Sequence, residues 1–356
     1  MGLPRFRIGV IEGDGIGPEL VEAALTVASA AVEGEAVLAY HQEAGGAKTY
    51  AETGEPLSAA ALERIRSEYD ATLKGPVGLP TVRKPDGTEG GLLGGVLRGG
   101  LDAYANVRPI ASVPGVRTPM RPDLGPIDYV IVRENTEGLY LSRGLGVGND
   151  HASADHLMMT RHGVERVVHR AFGLARARTG APADRVRRVT CVDKSNVIRS
   201  YAFFRRIFTE IAPEYPDIET DFRYADAAGH DLVHDPGHFD VLVMENFLGD
   251  ILSDVGAATI GGLGLCPSGN IGDTSAYFEP IHGSAPDLAG QDRANPVSQL
   301  LSAAMMLDHL GLAGPAGRVR RAVREVFAGG EVTLDARGRP TCGTRAVAER
   351  VRKRLV

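Results

Sequence analysis

Cysteine is scarce in this chain. Only Cys191, Cys266 and Cys342 occur among 356 residues, and no two of them form a CxxC pair. Three thiols cannot all pair, so the expectation is reduced thiols in a cytoplasmic protein. Long apolar runs are missing too: no stretch of about 18 apolar residues exists, which excludes a membrane-spanning helix. The N-terminus enters a strand directly, without the apolar core of a signal peptide. Basic blocks are absent until the tail RVRKRLV, and the net charge is -6, so a nucleic-acid surface is not expected. The tail itself reads as the basic end of a C-terminal helix, where cations suit the helix dipole. Repeats and low-complexity segments are lacking. So is the GxGxxG order of a dinucleotide-binding βαβ unit: Gly13, Gly15 and Gly17 do not follow it. No acidic residue closes a following strand at the required distance, and a Rossmann fold is therefore not supported.

What is present is an ordinary soluble composition, 43% hydrophobic and 24% charged, in a chain long enough for about two domains. Strand-like and helical patterns alternate. Arg7–Ile11 reads as a strand, followed by the turn EGDGIGPE and a helix from Pro18 to Ala31, where proline and Glu19 mark the start. Further segments are Glu35–Tyr40, Ser58–Ser67 and Ala71–Lys74, then a loop rich in glycine and proline from 75 to 95 and a helix over Val96–Tyr104. The segment ANVRPI reads as extended, Asp128–Arg133 as a strand, Val164–Arg178 as an amphipathic helix, Arg188–Asp193 as a strand and Ile198–Ile211 as a helix. This alternation predicts an α/β fold.

The segment FDVLVMENFLGDILSD, from Phe239 to Asp254, carries the most chemistry. The run Val241-Leu242-Val243 predicts a buried strand. Asp250 and Asp254 follow, four residues apart with helical periodicity, which places two carboxylates on one helix face. Such a pair suits a hard divalent cation, Mg²⁺ or Mn²⁺; a solvated helix face is the other reading. Asp226, in YADAAGHDLV, is a third carboxylate available to the same cation.

Arg98, Arg108 and Arg133 lie on or just after separate core-forming segments. Three guanidiniums at such junctions suit a substrate with two or more carboxylates, each held by a planar fork; singly, each is equally readable as a surface residue. Tyr140 lies seven residues past Arg133 in a glycine-containing loop. Lys194 directly follows an apolar strand, where burial and neighbouring charge favour a general base, although a snorkelling lysine fits the same position.

Together these motifs resemble the isocitrate/isopropylmalate dehydrogenase family, the β-decarboxylating dehydrogenases of 2-hydroxy acids, on its isopropylmalate/tartrate side. The matching segments are GDGIGPE at 13–19, YANVRP at 104–109, VRENTEGLY at 132–140, VDKSNV at 192–197, NFLGDILSD at 246–254 and HGSAPDLAGQDRANP at 282–296. They occur in the family's order. The resemblance implies two α/β domains sharing a large sheet, with a cleft between them. The first is discontinuous, 1–103 plus 262–356, and lies on the cofactor side. The second, 104–261, carries the interface of a homodimer. It implies that Arg98, Arg108 and Arg133 grip the malate carboxylates. Asp250 and Asp254 then bind the metal of their own subunit, while Lys194 and Asp226 reach into the partner's site. Lys194, directly or through water, removes the 2-hydroxyl proton, and Tyr140 protonates C3 after CO₂ leaves. His282, Gly283, Ser284 and Ala285 match the family's adenosine-binding loop, and Asn295 a position near the adenine. Asp287 falls where an acid binds the ribose hydroxyls; a carboxylate there repels a 2′-phosphate and favours NAD over NADP.

The expected activity is thus NAD- and metal-dependent oxidative decarboxylation of a 3-substituted malate, of 3-isopropylmalate type. One segment departs from the family. Isopropylmalate enzymes carry a glutamate and a leucine pair just ahead of the first arginine, and isocitrate enzymes carry serine and asparagine. By distance from Arg98, those positions here are Gly91, Gly94 and Gly95. Leu92 and Leu93 in a shifted register, or Glu89, are the available substitutes. Each missing apolar contact is worth roughly 1–3 kcal/mol of discrimination. Tartrate, D-malate, homoisocitrate or another C3-substituted malate therefore stays open as substrate. A metal-dependent hydrolase and a non-catalytic nucleotide-binding subunit are the competing classes.

Overall fold

The structure, a computed structural model, describes residues 2–85, 87–142 and 145–355. Met1 and Val356, the outer ends of the expected first domain, lie outside them, as does Asp86 of the glycine-rich loop. The chain divides into two units. The first comprises Met1–Asp102, Val113–Arg117 and Gly261–Val356, and the second Ala103–Ser112 and Thr118–Ile260.

In chain order the first unit opens with β1 (Arg5–Ile11), α1 (Gly17–Ala31), β2 (Val37–Gln42), α2 (Ala47–Thr53), α3 (Ala59–Ser67), β3 (Ala71–Lys74) and α4 (Gly94–Gly100). The second unit contributes β4 (Ala105–Ala111), β5 (Asp128–Glu134), the short hairpin β6 (Val147–Asn149) and β7 (Ala152–Ala154), and α5 (Arg161–Ala177). It continues with β8 (Arg188–Asp193), α6 (Arg199–Ile211), β9 (Glu219–Tyr224), α7 (Ala225–His234), β10 (Val241–Met244) and α8 (Asn246–Thr259). The chain then returns to the first unit with β11 (Pro267–Ile271), β12 (Ala276–Pro280), α9 (Val297–His309), α10 (Ala313–Ala328) and α11 (Thr344–Lys353).

Within the first unit the strand order is β2-β1-β3-β12-β11, parallel except where β11 meets β12. Ile8 to Ile11 of β1 are fully buried, as expected of a strand covered on both faces. The buried residues of α1, among them Leu20, Val21, Ala24, Val27 and Ala28, recur at helical spacing and form its core stripe. Within the second unit the order is β4-β5-β10-β8-β9, with β4 antiparallel to β5 and the rest parallel. The fold is α/β of the expected type. Among the described residues no helix is long and apolar enough to cross a membrane. No cysteine is in a disulfide among the described residues; Cys191 and Cys266 are buried and Cys342 is half-buried.

Three local expectations need correction. The helix expected over Val96–Tyr104 starts earlier and stops at Gly100, because Gly99-Gly100 end it and Asp102 takes a left-handed φ of 46° before β4 begins. The strand expected over Glu35–Tyr40 is shifted to Val37–Gln42. The edge strand β9 was not expected from its sequence: its residues are exposed or half-buried throughout, so no apolar alternation marks it.

Candidate active site

In the second unit the site is built on neighbouring strands and the helix after β10. Antiparallel pairing of β4 with β5 sets Asn106 opposite Arg133 and Arg108 opposite Ile131. Both arginines are almost fully buried, at 5% and 1% exposure. Charges this deep need partners, and the structure supplies them. Asn246, the first residue of α8, accepts from Arg133 Nε at 3.0 Å and Nη2 at 2.7 Å, while Arg133 Nη1 pairs with Asp250. Arg108 donates through Nε to Asn106 and through Nη1 to Ser253, and lies 3.5 Å from Asp250 and 4.0 Å from Asp254.

The approach of α8 to these arginines depends on Gly249. A Cβ there would come within 2.6 Å of Arg133 Cβ and Cγ. Absence of a side chain thus lets the helix sit against β5 and brings Asp250 to the guanidinium. Asp254, one turn on, is the more exposed of the pair. Its pKa is raised, first by partial burial and then by the charge of Asp250, against the pull of Arg108. A divalent cation between the two carboxylates would relieve that repulsion, so this donor set fits the hard metal expected of it.

Tyr140 reaches the same carboxylate: its hydroxyl donates to Asp250 Oδ2 at 2.8 Å, and its ring stands edge-on to Phe247. Its loop is tied down by Glu245, a buried residue that the sequence reading passed over. Glu245 caps α8 by accepting from Leu248 N at 3.2 Å, and it also accepts from Leu139 N at 3.1 Å and the Tyr201 hydroxyl at 3.0 Å. Asn246 adds a 3.0 Å bond to the Glu137 carbonyl. The signal for both was present, since Asn246 opens the NFLGDILSD motif and Glu245 directly precedes it.

Lys194 and Asp226 form a separate pair in this unit. Lys194 Nζ donates to Asp226 Oδ1 at 2.6 Å, and this bond holds the Asp226 carboxyl below its ordinary pKa. Asp226 is not brought to Asp250 and Asp254: among the described residues no group of three or more His, Cys, Asp or Glu side chains is arranged to hold a metal ion.

The first unit holds the remaining expected residues. The turn between β1 and α1 is fastened by Asp14, whose buried carboxylate accepts from Ala47 N at 2.7 Å, Gly78 N at 2.8 Å and Lys48 N at 3.1 Å. Ile16 N then donates to the Ser284 carbonyl at 2.8 Å, which stitches this turn to the HGSAPD loop. Ser284 spends its hydroxyl on the Gly78 carbonyl. Ala285 is held at φ 37°, a left-handed conformation that costs a non-glycine residue about 1–3 kcal/mol and persists only where the surroundings enforce it.

Beside this loop lies a cavity of about 370 Å³ whose lining includes His282, Gly283, Ala285, Leu288, Asn295 and Arg337. Burial, with a contribution from the Lys74 charge, lowers the pKa of His282, so the imidazole is kept neutral. Its Nδ1 lies 2.9 Å from the Gly283 carbonyl, and its Nε2 is buried without a hydrogen-bond partner among the described residues. A cavity of this size, lined by an imidazole and the Asn295 amide, fits a heteroaromatic ligand such as adenine. Asp287 is exposed in the short helical turn that follows.

Arg98 lies on α4, and its charge helps to hold Glu279 ionised. Glu279 pairs with Lys74 at 2.5 Å and accepts from Asn270 at 2.9 Å. This buried pair was not anticipated, because its members are 205 residues apart. Of the positions ahead of Arg98, Gly91 takes φ 85°, and a Cβ there would come within 2.2 Å of Ala47 Cα. No glutamate fits at that position. Leu93 is fully buried, with its Cδ1 3.2 Å from the place a Cβ on Gly45 would take, whereas Leu92 is exposed. A Cβ on Gly94 would lie 3.7 Å from the Arg98 guanidinium, so that face carries no side chain.

Comparison with known proteins shows the family. The family model described as isocitrate/isopropylmalate dehydrogenase matches residues 7–351. The 3-isopropylmalate dehydrogenase of Clavibacter sepedonicus is 42% identical over 355 residues, covering 95% of this chain and 96% of that protein. That of Frankia casuarinae is 44% identical over 331 residues, covering 91% and 93%. Among solved structures, isocitrate dehydrogenase from Methylococcus capsulatus superposes with a TM-score of 0.85 at 38% identity, covering 98% of this chain and 99% of that one. A β-decarboxylating dehydrogenase from Thermococcus kodakarensis gives 0.80 at 36%, covering 98% and 96%. With the motifs, the α/β units and matches that run nearly end to end, the chain belongs to the isocitrate/isopropylmalate dehydrogenase family of decarboxylating oxidoreductases.

Proposed function

We propose that the protein oxidises and decarboxylates a 3-substituted malate of the 3-isopropylmalate type with NAD, yielding a 2-keto acid, CO₂ and NADH. The observation that carries this reading is the convergence of Arg133, Arg108 and Tyr140 on Asp250. In this reading the two guanidiniums grip carboxylates, the phenol donates a proton and the carboxylate binds metal, and their hydrogen-bonded grouping supports it. When bound, NAD would supply the hydride acceptor for C2, and Mg²⁺ or Mn²⁺ would supply a Lewis acid for charge on the C2 oxygen. The chain's own residues do the rest. Arg108 and Arg133 hold the substrate carboxylates in fixed orientation, and Arg98 carries the same assignment. Lys194 takes the hydroxyl proton, and Tyr140 delivers a proton to C3 once CO₂ has left. Asp250 and Asp254 are the residues that would hold the cation, with Asp226 supplied from a second subunit.

His282, Gly283, Ala285 and Asn295 would receive the adenosine, and Ser284 keeps the loop in place. Asp287 selects against a 2′-phosphate. The two units would be the two domains, and the enzyme would work as a cytoplasmic homodimer. A second reading of the substrate is supported by Gly94. The face it presents to Arg98 is bare, and neither Leu93, which is buried, nor Gly91 supplies the missing wall, so a C3 group other than isopropyl fits that face equally well. The test is nicotinamide reduction across malates varied at C3, each with Mg²⁺ or Mn²⁺ and with NAD or NADP. Turnover with NAD and one C3 group supports the proposal and names the substrate. No turnover with either cofactor across the panel would overturn it.

A further inference from the structure

Within the first unit, the hydrogen bonds of Asp14 lead in two directions. Asp14 is 4% exposed, and its carboxylate accepts from Gly78 N at 2.8 Å and from Ala47 N at 2.7 Å. Gly78 is held at its other end as well. Its carbonyl accepts from the Ser284 hydroxyl, and the Ser284 carbonyl accepts from Ile16 N at 2.8 Å. The turn after β1, the start of the glycine-rich loop and the HGSAPD loop thus form one closed circuit of hydrogen bonds. Side chains are excluded where it is tightest. A Cβ on Gly15 would lie 2.1 Å from the Ser284 carbonyl oxygen, and Gly78 takes φ 109°, a backbone that favours glycine.

The same circuit touches the segment ahead of Arg98. The place a Cβ on Gly78 would take lies 2.5 Å from Glu89 Oε1 and 3.6 Å from Leu92 Cδ2, so both side chains lie against Gly78. Ala47, also held by Asp14, meets Gly91: a Cβ there would be 2.2 Å from Ala47 Cα. One buried carboxylate therefore reaches Glu89, Leu92 and Gly91 through a single intervening residue each. On the opposite side, Ser284 stands between Gly283 and Ala285, which both line the cavity beside His282. Its two bonds into the circuit help to enforce the left-handed backbone of Ala285.

We propose that Asp14 and Ser284 are positioning residues that couple two binding events: a nucleotide whose adenosine fills the His282–Asn295 cavity, and a malate whose C3 group meets the segment from Glu89 to Arg98. The inference rests on the cofactor and substrate reading proposed above for those two segments. Its physical basis is that neither loop shifts without moving Gly78. A nucleotide that orders the HGSAPD loop fixes the Gly78 carbonyl through Ser284, while Asp14 fixes the Gly78 amide and Ala47. The malate then meets a preorganised segment and binds more tightly. By linkage, the malate tightens nucleotide binding by the same factor.

The test is NADH binding, followed by its fluorescence, in Mg²⁺ with and without each malate varied at C3. NADH and a malate form a ternary complex that does not turn over, because no hydride acceptor is present. In the wild-type protein at least one malate should tighten NADH binding by roughly fivefold or more. In Ser284→Ala and in Asp14→Asn that factor should fall to near one, while NADH still binds on its own. If Asp14→Asn does not fold, Ser284→Ala, which removes a single hydroxyl, carries the test. Ser58→Ala is the control: it removes the cap of α3 and lowers stability without touching the circuit, and it should keep the full factor. A merely structural role would not separate these variants. Failure of wild-type protein to bind NADH would overturn the cofactor reading and the inference with it. NADH binding that no malate tightens, or coupling that survives in Ser284→Ala, would overturn the inference alone.

Discussion

The Tyr140 hydroxyl donates a 2.8 Å hydrogen bond to Asp250, the same carboxylate that pairs with Arg133. One acidic side chain thereby organises a phenol and a guanidinium contributed by a loop and a strand. Tyr140→Phe removes the proposed proton donor while leaving the ring against Phe247. We expect kcat to fall by roughly 10²–10⁴, the usual worth of a positioned acid, with KM changed only a few-fold. Steady-state kinetics check this; an unchanged kcat would remove Tyr140 from the proton path.

Gly249→Ala tests the close approach of α8 to β5. The added methyl would meet Arg133 at 2.6 Å, so overpacking of about 1–3 kcal/mol is expected, together with lower activity as Asp250 moves. Gly317→Ala in α10 is the control. Nothing lies within 4 Å of its Cβ position, so the better helix propensity of alanine should stabilise by about 0.5–1 kcal/mol. Denaturant unfolding of both variants should give shifts of opposite sign.

The Lys74–Glu279 pair is buried, and removing one member leaves the other charge unsatisfied. Glu279→Gln should destabilise by roughly 3–5 kcal/mol, and Lys74→Met combined with Glu279→Gln by less. A pH dependence follows. Burial pushes Glu279 up, but the charges of Lys74 and Arg98 outweigh it and hold the carboxyl below its ordinary range. Its contribution is therefore present above the unfolded-state pKa and is lost as pH falls through the depressed folded value. Urea midpoints measured from neutral to acidic pH should converge for wild type and Glu279→Gln.

Subunit sharing has its own test. Lys194→Ala and Asp250→Ala proteins should each be inactive, yet mixing them should restore part of the activity if Lys194 serves the partner's site. Subunit exchange without any recovery would sink that arrangement.

Metal dependence should follow the carboxylates. Chelation should abolish turnover, and Mg²⁺ or Mn²⁺ should restore it. In Asp254→Asn the metal concentration giving half-maximal rate should rise by at least about tenfold, because one of the oxygen donors has lost its charge. An unchanged metal requirement would place the cation elsewhere.

The local order of the chain was readable from its residues. The run Val241-Leu242-Val243 read as a buried strand, which the structure extends to Met244, and the spacing of Asp250 and Asp254 put both on one face of α8. The segment Ser58–Ser67 holds α3, whose backbone Ser58 caps. The motifs around these elements also carried the family, because short-range spacing survives intact in sequence.

Only the tertiary structure showed what those residues touch. That Arg133 is held by Asn246 across 113 residues, that Glu245 anchors the Tyr140 loop, and that Lys74 meets Glu279 are facts of strand order. Strand order is set by packing between distant segments, which leaves no periodic trace in the chain. The segment ahead of Arg98 shows the same limit. Counting residues assigned Gly91 to a specificity position, while its left-handed backbone and contact with Ala47 make it a packing glycine. Spacing along a chain determines which side chains share a face; only the folded backbone decides which of those faces meet.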